Sequence, residues 1–174
     1  CVSVVATAQD GWLIDDIADD YAQCAKWAAG SGADGVEANF SCPNVSSVDG
    51  QLFLNPTDAG IVAAKMREAI PQTPLLLKVG HIENREIAHA LLESVAASVD
   101  ALVMVNGVSA KVRQPNGGLL FEGQCRGIAG EAIRETALEQ LNLFDGLIRE
   151  FGFDVRLVGV GGLCQATDVR ACLD

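Results

Sequence analysis

Hydrophobic positions along the chain alternate between two periods. Cys1 to Ala6 is a run of apolar and β-branched residues, the pattern of a short buried strand. From Leu13 the spacing changes. Leu13, Ile14, Ile17, Tyr21, Cys24, Ala25 and Ala28 recur at three and four, with Asp15, Asp16, Asp19 and Asp20 opposite, and the run stops at Gly30. That is an amphipathic helix with a glycine stop. Gly35 to Phe40 reads as the next strand. Asn55-Pro56-Thr57-Asp58 predicts a helix start, with Asn as N-cap and Pro in the first helical position, where its missing N–H costs nothing. Ile61, Val62, Lys65, Met66 and Ala69 carry that helix to Pro71. Leu75 to Val79 predicts a strand, Arg85 to Ala97 a helix and Ala101 to Asn106 a strand. Residues 107–130 are glycine-rich and predict a long loop. Ile133, Ala137, Leu141, Phe144, Leu147, Ile148 and Phe151 then mark one face of a helix closed by Gly152. Asp154 to Gly159 is a fifth strand, followed by Gly161-Gly162 and the start of another helix.

Strands alternating with helices in this way predict βαβ crossovers and a parallel sheet. The strands are apolar throughout, as strands buried on both faces are. Two architectures share the pattern, a doubly wound sheet and a (β/α)8 barrel. Both gather chemistry at the carboxyl ends of the strands. That rule directs attention to residues 39–44, 78–81, 106–111 and 159–162.

Composition narrows the function. The 174 residues carry 12 Lys plus Arg against 23 Asp plus Glu, a net charge of −11. Phosphate contacts need clustered Lys and Arg, so a nucleic-acid partner is not expected. No apolar run approaches the ~20 residues of a bilayer span, so no membrane partner is expected either. With 49% hydrophobic residues, residues 1–174 read as a single domain. The chain opens on a strand pattern without Met and ends at Asp174 inside a helical pattern, which reads as a piece of something longer. Its six cysteines include no C-x-x-C pair, and only two His accompany them. Reduced thiols, a cytoplasmic location and no metal centre are the expectation.

Candidate chemistry lies at the strand ends. Cys42 follows a strand, precedes Pro43 and stands between Asn39 and Asn44. A thiol there can act as nucleophile or, as thiolate, as base. An Asn side chain offers one acceptor and two donors to the edges of a small heterocycle. Lys78 ends the apolar run Leu75-Leu76-Leu77, a place for a cation that neutralises a bound anion. Gly159-Val160-Gly161-Gly162 offers bare backbone N–H groups of the kind that bind phosphate, although tight βα turns need glycine anyway.

Taken together, Asn-Phe-Ser-Cys-Pro-Asn-Val at 39–45, Leu-Lys-Val at 77–79, Val-Asn-Gly at 105–107, Arg-Gly-Ile-Ala-Gly-Glu-Ala-Ile-Arg-Glu-Thr-Ala-Leu at 126–138 and Gly-Val-Gly-Gly at 159–162 resemble the dihydroorotate dehydrogenase family, motif for motif and in order. The resemblance covers essentially the whole chain. It implies an α/β fold of (β/α)8 TIM-barrel type, FMN as cofactor, and oxidation of dihydroorotate to orotate in pyrimidine biosynthesis. It implies Cys42 as the catalytic base, and Cys rather than Ser there resembles the soluble class 1 enzymes. Asn39, Asn44 and Asn106 correspond to substrate-binding amides, Asn106 also lying by the cofactor. Lys78 corresponds to the lysine beside the flavin pyrimidine edge, and Gly127, Gly161 and Gly162 to the backbone cradle of flavin ring and phosphate. The sequence departs from the family at Gly107, where a hydroxyl residue is usual, and at Gly80-His81, which replaces a proline-containing turn. Gly107 leaves room for a different dihydropyrimidine-like substrate. The strands match family strands three to seven, so the resemblance implies a partial barrel lacking strands one, two and eight. Such a piece is expected to need the missing segments or a further copy of itself, and a non-catalytic fragment is the remaining alternative.

Overall fold

The structure, a computed structural model, describes residues 1–41 and 48–173. Its elements in chain order are β1 (Val2–Val4), α1 (Ile14–Gly30), β2 (Val36–Asn39), α2 (Pro56–Ala69), β3 (Leu75–Lys78), α3 (Arg85–Val95), β4 (Ala101–Met104), β5 (Val108–Lys111), β6 (Cys125–Ile128), α4 (Arg134–Phe151), β7 (Arg156–Gly159) and α5 (Ala166–Ala171). A 3-10 segment, Val48–Leu54, precedes α2.

Five strands form one parallel sheet in the order β1-β2-β3-β4-β7. That order decides between the two architectures left open by the sequence. A doubly wound sheet reverses direction at a switch point, whereas a barrel adds each strand beside the last. Here every crossover steps the same way, so the fold is a run of (β/α) barrel units.

The helices start and stop where local chemistry requires. Asn55 caps α2, its side chain accepting from the Asp58 N–H at 3.4 Å, with Pro56 behind it. Asn84 caps α3 by accepting from the Ile87 N–H at 2.9 Å. α4 ends at Gly152, whose φ of 72° is left-handed, a conformation that costs a residue with a Cβ.

Pleating sorts each strand between two faces. Val36, Ala38, Leu75, Leu77 and Leu102 join the core against the helices, where Tyr21, Val62, Met66, Leu91 and Phe144 are also buried. The opposite face, which lines the interior in a barrel, carries two registered rows. One runs Ser3, Glu37, Leu76, Ala101, Arg156 and the next runs Asn39, Lys78, Val103, Val158. All the charged residues of β2, β3 and β7 lie on this face.

One expectation is corrected. Residues 107–130 are not a structureless loop: β5 and β6 pair antiparallel through Val108–Ile128, Ser109–Gly127, Ala110–Arg126 and Lys111–Cys125. The alternation Val108-Ser109-Ala110-Lys111 supports a two-stranded ribbon, and the surrounding glycines mask it. At the ribbon's far end Phe121 and Glu122 adopt positive φ, 52° and 56°.

Candidate active site at the strand ends

Backbone hydrogen bonds tie the carboxyl ends of four strands together. Phe40 N–H donates to the Lys78 carbonyl at 2.9 Å, Val79 N–H to Val103 at 3.0 Å, Asn106 N–H to Val79 at 3.0 Å, and Val105 N–H to Val160 at 2.7 Å. Asn39, Lys78 and Asn106 therefore sit on one edge, with the Gly161-Gly162 turn beside it. Of the predicted residues, Cys42 and Asn44 lie outside the described residues.

Two of the predicted substrate amides meet at the backbone of one residue, Ser41. The Asn39 Oδ1 accepts from the Ser41 N–H at 3.2 Å, and the Asn106 Nδ2 donates to the Ser41 carbonyl. Ser41 is buried, 4% exposed, and it immediately precedes Cys42. Each amide thus uses one end on the backbone. Among the described residues, the Asn39 Nδ2 donor and the Asn106 Oδ1 acceptor have no protein partner. A donor and an acceptor on the same edge are complementary to an imide or amide edge of a heterocycle. Asn39 is itself fixed from below, its carbonyl accepting from the Tyr21 hydroxyl at 2.7 Å.

Lys78 is more deeply engaged than the sequence suggested. Its Nζ lies 2.8 Å from Oε1 of Glu37, and both side chains are largely withdrawn from solvent, 19% and 16% exposed. Ser3 Oγ donates to the same oxygen at 2.6 Å. Nothing in the motif reading singled out Glu37 or Ser3. The signal was present, because Glu37 is a lone charge inside an apolar strand, one strand away from the lone cation of β3.

The turn after β3 is clamped from α4. Gln140, 2% exposed, accepts from the Ile82 N–H at 2.8 Å and donates to the Gly80 carbonyl at 2.9 Å. Glycine at 80 has a packing reason: a Cβ there would lie 2.6 Å from both the Phe53 ring and Ser41 Oγ. Ser41, Phe53, His81, Gly107 and Ser109 border a cavity of about 200 Å³ just beyond the strand ends. At Gly107 a Cβ would lie 3.1 Å from the Ile128 carbonyl oxygen, so the ribbon presses closely on this position.

The predicted glycines divide. Gly127 stands in β6 opposite Ser109. Gly161 and Gly162 have φ of 122° and 70°, and a Cβ on Gly162 would lie 2.7 Å from the Gly130 carbonyl oxygen and 2.8 Å from Glu131 Cα. Backbone packing between the base of the ribbon and the β7–α5 turn already requires glycine there. Asp168, 8% exposed, closes that turn by accepting from the Cys164 and Gln165 N–H groups, each at 2.9 Å.

Burial, then Asp20, pushes the Cys24 thiol up, and burial, then Asp168, does the same for Cys172. Neither is a ready thiolate. The cysteines at 1, 24, 125, 164 and 172 are all free. Among the described residues no group of His, Cys, Asp or Glu could hold a metal ion, and no helix is long and apolar enough to cross a membrane.

Comparison with known proteins bears on the fold and the family. The family described as dihydroorotate dehydrogenase matches residues 3–173. A dihydroorotate dehydrogenase of Dictyostelium discoideum is 29% identical over 170 residues, covering 94% of this chain and 45% of the relative. The catalytic subunit of dihydroorotate dehydrogenase B (NAD(+)) from Pelobacter propionicus is 30% identical over 140 residues, covering 77% of this chain and 42% of the relative. Among solved structures, DHODH from Eimeria tenella in complex with ferulenol superposes with a TM-score of 0.77 at 13% identity, covering 98% of this chain and 49% of that one, which speaks to the fold. The chain spans about half the length of these relatives. Motifs, barrel units and whole-length match converge: the chain belongs to the dihydroorotate dehydrogenase family.

Proposed function

We propose that residues 1–174 form a single unit of an FMN-dependent barrel that oxidises dihydroorotate, or a close dihydropyrimidine, to the unsaturated ring. The observation that carries this reading is the convergence of Asn39 and Asn106 on Ser41, which leaves a free donor and a free acceptor on the edge that also holds Lys78. The donor set fits a flavin mononucleotide. Lys78 uses one of its three ammonium donors on Glu37, and the other two have no protein partner among the described residues. Lys78 would hold the flavin pyrimidine edge, with Asn106 beside it and with backbone at Gly127, Gly161 and Gly162 approaching ring and phosphate. When bound, FMN supplies the hydride acceptor.

The chain's own part is binding and proton removal. The Asn39 donor and Asn106 acceptor, with Asn44, orient the ring through its polar edges. Cys42, as thiolate, takes the proton from the carbon next to the ring carbonyl. Because Ser41 is held from both sides, the segment carrying Cys42 starts from a fixed point. Lys78, a cation on the inner face, favours negative charge on whatever lies against it. The relatives named catalytic subunits of an NAD(+) enzyme support a partner that receives the electrons, and a second copy of the chain is the other partner we propose. Scattered cysteines without a C-x-x-C pair support a reducing, cytoplasmic location for it.

The experiment is anaerobic mixing of the flavin-loaded full-length protein with dihydroorotate. Bleaching of the oxidised flavin band with formation of orotate is the expected result. A flavin that stays oxidised with dihydroorotate but bleaches with another dihydropyrimidine would replace the substrate and keep the mechanism.

A further inference from the structure

Three polar side chains on three adjacent strands meet on the inner face of the sheet. Ser3 on β1 stands directly opposite Glu37 on β2, and Lys78 on β3 lies one pleat further toward the carboxyl end. Both donors converge on the same oxygen, Glu37 Oε1, at 2.6 Å from Ser3 Oγ and 2.8 Å from Lys78 Nζ. A lysine has a long, rotatable stem and three equivalent donors, so alone it does not fix where its charge sits. A carboxylate that is itself hydrogen-bonded on its neighbour strand does fix it, and withdrawal from water strengthens the hold. An ion pair this far from solvent is costly to assemble and gives little net stability over an apolar pair. Its value therefore lies in position.

We propose that Glu37, steadied by Ser3, is a positioning residue for Lys78: it sets the place of the ammonium on the inner face and so governs how that charge meets the bound flavin. This rests on the FMN reading above. Glu37 touches neither substrate nor cofactor in this role and acts only through Lys78.

The test uses the full-length protein and reads FMN affinity and the reduction potential of the bound flavin, with circular dichroism checking the fold. Glu37→Gln and Glu37→Asp should both weaken FMN binding by roughly threefold or more, the scale of a contacting pair's coupling. Asp keeps the charge but withdraws it by one methylene, so an effect of that variant reports place rather than charge. In a Lys78→Ala background the Glu37→Gln change should nearly vanish, because nothing remains to be positioned. Ser3→Ala, which removes only an exposed-strand hydroxyl, should act in the same direction with a smaller effect, and it serves if a Glu37 variant fails to fold. Equal effects of Glu37→Gln in both backgrounds, unchanged or tighter FMN binding, or a Glu37→Asp protein indistinguishable from the parent would each overturn the proposal while leaving the flavin reading intact. A parent protein that holds no FMN overturns both.

Discussion

The carboxamide of Gln140 on α4 holds the turn at Ile82 by its backbone, accepting from the Ile82 N–H at 2.8 Å while its other end donates to the Gly80 carbonyl at 2.9 Å. Gln140 and Ile82 are each 2% exposed, so water cannot replace either bond. Gln140→Leu fills the space but leaves a buried donor and a buried acceptor unpaired, at about 1–3 kcal/mol each. Urea unfolding should show a loss of about 2–6 kcal/mol. Gln140→Glu separates the two ends: its carboxylate can still accept from Ile82, yet faces the Gly80 carbonyl with no proton to donate. That variant should regain stability as pH falls and the carboxyl protonates. A Gln140→Leu protein as stable as the parent would show that the turn has another support.

Cys42→Ala in the full-length protein should lower turnover with dihydroorotate by roughly 10²–10⁴-fold, the usual contribution of a general base, and leave FMN bound. Cys42→Ser should keep part of the activity with its optimum moved to higher pH, since a hydroxyl loses its proton far less readily than a thiol. Stopped-flow flavin reduction across pH measures both. Near-normal flavin reduction in Cys42→Ala would remove the thiol from the chemistry.

The two variants above differ in what announced them. Cys42, Asn39 and Lys78 stand in recognisable motifs at strand ends, and the helices and five parallel strands follow from period and caps. Gln140 sits among Ala137, Leu141 and Phe144 on the buried face of α4, and only a partner from the β3–α3 turn, 58 residues away, gives it a purpose. Glu37 is likewise explained by β1 and β3 together. Sequence reports what a residue is next to along the chain, whereas these bonds join elements brought side by side by the sheet. The ribbon of β5 and β6 escaped for a different reason: glycines at 117, 118, 123, 127 and 130 carry the same local signal in a turn, a strand and an open loop.

Arg67 and Asp100 close the opposite end of the sheet. The guanidinium reaches Asp100 at 2.5 Å and also donates to the carbonyls of Ser98 and Thr73, while Asp100 accepts from the Leu75 N–H at 2.7 Å. Burial alone would raise the Asp100 carboxyl. The Leu75 N–H and Arg67, with Arg156 nearby, together outweigh it and hold the carboxyl below the ordinary value. A carboxyl depressed in the folded state contributes stability that is complete above its unfolded value, near 4, and is lost as pH falls through the lower folded value. Asp100→Asn should therefore be less stable than the parent at pH 7, and the gap should narrow on acidification below about pH 4. Thermal melts from pH 7 to pH 3 measure it; a gap constant over that range would remove the ionised carboxylate from the account.

Gly162→Ala tests the joint between ribbon and β7. The substitution places a Cβ 2.7 Å from the Gly130 carbonyl oxygen at a φ of 70°, combining a backbone clash with a left-handed conformation. A loss of about 1–3 kcal/mol is expected, read by urea unfolding without flavin present. Because this cost arises from protein against protein, it should appear equally in flavin-free and flavin-loaded protein. A loss confined to the loaded form would show that approach of the cofactor, and not packing against Gly130, is what requires glycine there.

The inner face of the sheet sets the last expectation, for residues 1–174 on their own. Helices cover one face, where Leu77, Leu102 and Phe144 are buried. On the other, Val158 is 39% exposed in the row that also holds Lys78. β1 and β7 each have a neighbour on one side only, leaving two open edges, and open edges of apolar strands pair with whatever strand is available. Val158 forfeits part of the ~2 kcal/mol its full burial would bring, against a net domain stability of about 5–15 kcal/mol. The isolated segment should therefore self-associate and hold FMN weakly, because Lys78 and its neighbours on the inner face would meet the flavin without an opposite wall. Sedimentation velocity with flavin absorbance decides the matter. A monomer loaded with FMN would show that five barrel units suffice to shield the inner layer and grip the cofactor.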